Sequence, residues 1–335
     1  MGVDINRTML TIPNQPYEQV FGALESIGLQ VIGADFISGA SQELNLPPEF
    51  QPITQTSGFS TLWSERAWSD VKNVKSQRTP EIVDISGRFA TYHRLLAIRI
   101  REISEAYKGA LTSKLTDIDG KYIRPEQDTL FSNGFQAHIE AAIHAFLADA
   151  AAFRDLIAES IWKLILKNQN KEVTTFGSLI KKTKNYSHKG DLLSYIHRNG
   201  SDGGWIKNLT DIRNSIIHVA PLANANELQS LHLRTRQLKG GSIPIIHYPL
   251  TTSDGRLRTR PEPVDFDDHE NLKARFQTYH EFVKQSGDAL IYARNCLGQL
   301  VELGNKVREA ANLQHKILTI TDADIIGPIR IHGGK

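Results

Sequence analysis

Apolar and polar residues alternate along the chain with two different periods. From Asp84 to Leu115 the apolar positions Phe89, Tyr92, Leu96, Ile100, Ile103, Tyr107 and Ala110 recur at steps of three and four, as on one face of a long helix. A second run, from Gly134 to Lys167, turns Ile139, Ile143, Phe146, Phe153, Leu156, Ile157, Ile161 and Leu164 inward. Its alanines (Ala141, Ala142, Ala145, Ala148, Ala150, Ala151, Ala152) suit close approach of a neighbouring helix. A third long helix is predicted from Asp267 to Asn312. Asp265, Asp267 and Asp268 favour its start, and Gly287, Gly298 and Gly304 weaken it locally. Shorter helices are expected after Pro16, where the proline occupies the first turn, and over Leu62–Val74, Thr175–Lys184, Asp191–His197 and Gly204–Val219. The remainder of residues 1–80 reads as irregular.

Between residues 229 and 260 the period changes to that of strands. Leu231 and Leu233, and then Ile243-Pro-Ile-Ile-His-Tyr248, flank a turn at Lys239-Gly-Gly-Ser242. The tail Lys316-Ile-Leu-Thr-Ile320 is expected to add one strand. Asp117-Ile-Asp-Gly120 has the look of a calcium loop, but Lys121 stands at the next ligand position, so it reads as a turn. The pattern predicts an all-α protein: an antiparallel helical bundle with a small β-hairpin insertion and a mostly helical N-terminal region. Residues 1–130 form that region, 131–312 the helical domain with the insertion at 229–260, and 313–335 a tail.

Composition narrows the class. A net charge of +2 over 335 residues does not mark a nucleic-acid protein, so any basic surface must be local. Cys296 is the only cysteine, which excludes intrachain disulfides and multi-cysteine zinc sites and points to a reducing compartment. The N-terminal residues lack the apolar stretch of a signal peptide, and no apolar run reaches the length of a membrane span. The expectation is a cytoplasmic protein.

The candidate chemistry lies in Trp205-Ile-Lys-Asn-Leu-Thr-Asp-Ile-Arg-Asn-Ser-Ile-Ile-His218. On a helix Arg213 and His218 lie about 140° apart, while Asn214 and His218, four residues apart, stack on one face. A fixed cation, an amide and a group titrating near neutrality thus gather at one helix end. That set suits a phosphodiester: arginine holds the phosphate and histidine moves the proton. Three further Arg–His pairs of similar spacing occur: Arg88…His93, Arg275…His280 and Arg308…His315. Each falls in a long amphipathic segment, where it is expected to face solvent. The Arg213 pair differs in its adjacent Asn214, in the apolar stripe Trp205, Leu209, Ile212 and Ile216 on the side away from His218, and in the stop at Pro221.

With the helices so placed, the chain resembles the HEPN superfamily, compact helical proteins many of which are metal-independent RNases of prokaryotic toxin, abortive-infection and CRISPR systems. The resemblance runs from about Phe131 to Asn312. It rests on the helix 134–167, the segment Thr175-Phe-Gly-Ser-Leu-Ile-Lys-Lys182, the motif Arg213-Asn-Ser-Ile-Ile-His218 and the closing helix. The family signature is Arg, four to six residues, then His, often with Asn after the Arg. Two departures stand out. Ala220 occupies the place where a toxin branch carries Tyr, and the acidic residue many members use on the first helix has four candidates here, Glu140, Asp149, Asp155 and Glu159.

The resemblance implies an endoribonuclease with no cofactor or metal, working by 2′-hydroxyl transesterification with Arg213, Asn214 and His218. It also implies a homodimer in which two motifs face each other, with an antitoxin or defence-system protein as a further partner. In the insertion, Arg234 with Arg236, and Arg256 with Arg258 and Arg260, alternate so that each set shares a strand face and could grip an RNA backbone; solvated edge charges are the plainer reading. Tyr248 and His247 could stack on a base or simply pack. Two other readings fit the same residues: a non-catalytic HEPN-type module that binds a partner protein or nucleotide, and a helical adaptor in which the motif is coincidence.

Overall fold

The computed structural model describes residues 17–29, 34–37, 53–56, 59–116, 120–121, 129–167, 172–185, 190–214, 216, 230–251 and 267–316. They are mostly helical, with small antiparallel sheets. The order is α1 (Tyr17–Ser26), β1 (Ala34–Ile37), β2 (Ile53–Thr56), α2 (Phe59–Val71), α3 (Pro80–Leu115), β3 (Thr129–Phe131), α4 (Phe135–Ser160), α5 (Phe176–Thr183), α6 (Asp191–Asn199), α7 (Trp205–Asn214), β4 (Leu231–Leu238), β5 (Gly241–His247), β6 (Pro249–Thr251), α8 (His269–Gln285), β7 (Gly287–Asp288) and α9 (Ala289–Ala310).

The frame is α3 laid against α4. Helix α3 starts where Thr79 accepts from the backbone N–H of Ile82 at 3.2 Å and Pro80 fills the first turn. Such a cap contributes about 1 kcal/mol. The two helices run antiparallel, since Arg88 near the start of α3 meets Glu159 at the end of α4, and Gly109 near the end of α3 lies under the Phe135 ring at the start of α4. A Cβ on Gly109 would stand 2.4 Å from that ring. Helices α2 and α9 close the core. Trp68 packs on Phe89 with centroids 4.0 Å apart, and Phe89 meets Phe153 edge-on at 5.2 Å. One hydrophobic cluster takes in residues of α2, α3, α4 and α9 together, and so runs across the boundary expected at residue 130.

Two expectations are corrected. In the Arg88…His93 pair the histidine does not face solvent, and the arginine does so only in part. His93 is fully buried, its Nδ1 lies 2.7 Å from the Phe89 carbonyl, and its Nε2 is 3.1 Å from the Ser64 hydroxyl, which donates to Asn305 at 3.2 Å. Arg88 forks onto both carboxylate oxygens of Glu159 at 3.0 Å and also reaches Asp84. Five residues turn the helix well past one stripe, which takes the histidine ring from the α3 edge shared with Glu159 into the core.

The closing helix is also two helices rather than one. Its periodicity reads through the break, but Gly287 pairs with Thr251, and Asp288 begins a new helix by accepting from the N–H groups of Leu290 and Ile291 at 3.1 and 3.2 Å. Strand β3 is a further element that the pattern does not predict. It joins β4 and β5 in a three-stranded sheet, with Leu130 opposite His232. The hairpin itself turns at Lys239-Gly240, pairing Leu238 with Gly241, whose φ of +150° favours glycine. The β1–β2 hairpin falls within the stretch read as irregular. No helix among the described residues is long and apolar enough to cross a membrane.

Candidate functional site

Helix α7 carries the first two residues of the motif, Arg213 and Asn214, and its start is fixed by close packing. Gly203 adopts φ +81°, and a Cβ on Gly204 would stand 2.2 Å from the Asn199 carbonyl oxygen, so only glycine lets α7 begin this close to the end of α6. Ile206, Leu209 and Ile212 are then buried. Ile216, one turn on, is buried too. Arg213 and Asn214 lie at the C-terminal end, the first half-buried and the second exposed. Arg213 Nη1 donates to the Asn214 side-chain oxygen at 3.0 Å, so these two polar groups of the motif are already joined. His218 lies outside the described residues, as do Arg256, Arg258 and Arg260.

One turn before the motif, Thr210 accepts from Nη1 of Arg154 at 2.7 Å. Arg154 sits on α4, only 6% exposed, and its Nε and Nη2 donate to Asp155 at 3.1 and 2.9 Å. The same Asp155 oxygen accepts from the backbone N–H of Phe176 at 2.9 Å, at the first residue of α5. Arg154 and Asp155 therefore tie α4, α5 and the motif helix to one another. A buried arginine whose partners are removed is strongly destabilising, which gives this tie its weight.

The tie bears on the four acidic candidates. Asp149 accepts from Arg99, Glu159 from Arg88 and Lys163, and Glu140 from Gln136 and the Tyr248 hydroxyl. Of these contacts and those of Asp155, it is the latter that reach α7, through the neighbouring Arg154. Neither Arg154 nor Thr210 is singled out by the sequence reading. A signal is present for Arg154, which interrupts the buried stripe Ala150, Ile157 and Ile161 at helical spacing.

The β insertion behaves differently. Arg234 turns inward: its Nε donates to His232 Nδ1 at 3.0 Å and its Nη2 to the Val283 carbonyl at the end of α8. Arg236, two residues on, is exposed. Tyr248 and His247 are buried and offer no ring to a base. Tyr248 donates to Glu140 at 3.2 Å. His247 Nε2 lies 2.9 Å from the Ser286 hydroxyl. Asp288 gathers the Tyr107 hydroxyl and the Tyr248 N–H at 2.9 and 3.0 Å. Burial, aided by the charge of Arg234 and by His232, pushes the His247 imidazole down to about 3; burial and then Asp288 hold the Tyr107 phenol well above its ordinary range. This network fastens the sheet to α3, α4 and the α8–α9 junction.

Among the described residues no three His, Cys, Asp or Glu side chains are grouped to hold a metal ion. Comparison with protein-family models, curated proteins and solved structures finds no match to the chain.

Proposed function

We propose that the chain is an HEPN-type, metal-independent endoribonuclease of a prokaryotic toxin or anti-phage defence system, built as an antiparallel helical bundle with the β4–β5 hairpin as an insertion. The observation that supports this most is the placement of Arg213 and Asn214. They stand hydrogen-bonded at the C-terminal end of α7, Arg213 half-buried beside Leu209 and Asn214 turned out to solvent, on a helix held in place by Arg154.

In this reading the 2′-oxygen of RNA forms a bond to phosphorus as the P–O5′ bond breaks, leaving a 2′,3′-cyclic phosphate and a 5′-hydroxyl. One imidazole takes the 2′ proton and another gives a proton to O5′. Arg213 stabilises charge on the non-bridging oxygens with its planar fork. Asn214 orients Arg213. A single His218 provides one proton-transfer group, so two copies of the chain facing each other across a two-fold axis supply both. The second copy would also form the wall of the site opposite Arg213. Of the insertion arginines, Arg236 is exposed and could meet a phosphate from solvent, whereas Arg234 is taken up by the sheet and α8.

The test is incubation of the purified chain with mixed RNAs in EDTA, beside His218→Ala and Arg213→Ala. Cleavage by the wild type with cyclic-phosphate ends, lost in both variants, supports the reading. Equal products from all three proteins would overturn it.

A further inference from the structure

An open pocket of about 560 Å³ lies between α6 and the C-terminal end of α9. Its walls combine an aromatic ring, two cations and two carboxylates. The Tyr195 ring has both cations over it, the Lys306 ammonium 5.4 Å and the Arg198 guanidinium 5.8 Å from its centroid. Asp191 and Glu309 bring the carboxylates to the same pocket. Lys306 is paired with Glu302 at 3.3 Å. By contrast, the Asp191 and Glu309 carboxylates and the Arg198 guanidinium make no hydrogen bond or ion pair with another described residue. Tyr195 is anchored at its far end, where its hydroxyl accepts from the Trp205 indole N–H at 3.3 Å.

We infer that this pocket binds one unpaired guanine nucleotide. Each wall has a part. The Tyr195 ring and the Arg198 guanidinium beside it offer flat groups on which a base stacks, since every base offers a π face and the guanidinium stacks as well as it ionises. The two cations attract the phosphate. The carboxylates select the base: one carboxylate accepts two parallel hydrogen bonds, and guanine alone among the RNA bases presents a ring N–H and an amino N–H side by side. A pocket for phosphate alone would not need two carboxylates, which repel it; a pocket for any base would need neither.

The placement gives the pocket a use that rests on the nuclease reading above, although its ligand chemistry does not. Trp205 is the first residue of the helix that carries Arg213, about 12 Å further along the axis. A single strand seated with its guanine on Tyr195 would run beside α7 towards Arg213. Cleavage would then fall at a set distance from an unpaired guanine.

The full chain, titrated with 5′-GMP and separately with fluorescent single-stranded oligonucleotides whose 2′-hydroxyls are methylated, reads binding without cleavage. One set of oligonucleotides carries a single guanine and the other has adenine in its place. The expected result is a preference for guanine in both ligand forms, GMP being compared with 5′-AMP. Glu309→Gln and Asp191→Asn, at exposed positions that leave the fold alone, reduce that preference, and Tyr195→Leu weakens both bases by about tenfold or more. Binding of the oligonucleotide but not of GMP locates the ligand as a nucleotide within a strand; binding of both shows that free nucleotide suffices. Equal affinity for guanine and adenine, or a preference untouched by both carboxylate variants, overturns the inference whether or not the protein cleaves RNA. Guanine selectivity without cleavage in the EDTA assay leaves the pocket standing and removes the nuclease reading.

Discussion

His93 makes the protein sensitive to acid, by an amount that can be worked out. Burial in the α2–α3–α4 core pushes its imidazole from about 6.5 down to about 4, with the Phe89 carbonyl only partly opposing the change. The folded state therefore resists a proton that the unfolded chain accepts. Stability from this source is complete above pH 6.5 and falls as the pH drops towards 4. A tenfold difference in proton affinity between the two states is worth about 1.4 kcal/mol, so the loss from this residue is about 2 kcal/mol at pH 5 and about 3 kcal/mol below pH 4. His247, lowered to about 3, adds a loss of the same sign. The carboxylates titrate over the same range, so the informative quantity is a difference between two proteins. Urea unfolding followed by tryptophan fluorescence, with Trp68 buried against Phe89 as a reporter, gives the stability at pH 7 and pH 5. His93→Gln keeps a polar group opposite Ser64 but cannot titrate. It is less stable than wild type at pH 7, yet its loss between the two pH values is about 2 kcal/mol smaller. An identical loss in both proteins would show that His93 is not held neutral by the core.

Three substitutions probe the frame and the tie to the motif helix. Gly204→Ala forces a Cβ into the Asn199 carbonyl, so α6 and α7 separate; cleavage falls sharply while the overall helix content by circular dichroism changes little. Arg154→Leu removes the tie from α4 to Thr210 and leaves Asp155 without its guanidinium; thermal unfolding is expected to show a loss of about 3 kcal/mol, and an unchanged melting temperature counts against the tie. Arg88→Ala costs about 1 kcal/mol in the same measurement, because its bidentate pair with Glu159 is partly solvated, and leaves cleavage per folded molecule unchanged.

The long helices are legible in the sequence because each carries enough turns for its apolar period to stand above chance. Phe89 to Ala110 and Ile139 to Ile161 are buried much as their spacing demands. The break at Ser286 is legible only as a weak point at Gly287, because two successive helices can keep one apparent period. What separates them is a capping interaction between Asp288 and two N–H groups, plus a strand pair to Thr251 that lies far off in sequence. Strand β3 escapes for a related reason: three residues are too few to show alternation, and Thr129–Phe131 becomes a strand only by pairing with Leu231–Leu233, about a hundred residues later.

The site divides along the same line. Arg213 and Asn214 can be singled out because both lie on one helix, where spacing alone sets their relation. The residues that hold that helix, Arg154, Asp155 and the N–H of Phe176, come from separate elements, and no periodicity connects them to Thr210. The same limit explains why Arg88…His93 reads as an exposed pair. Charge type predicts solvent only when nothing buried answers it, and here Glu159, Ser64 and the Phe89 carbonyl all do. Arg88 forks onto one carboxylate and reaches a second, the arrangement of a structural ion pair. Arg213 donates to the amide of Asn214 beside it, at a helix end where that amide is exposed, so a planar fork and its neighbour are set by one helix alone.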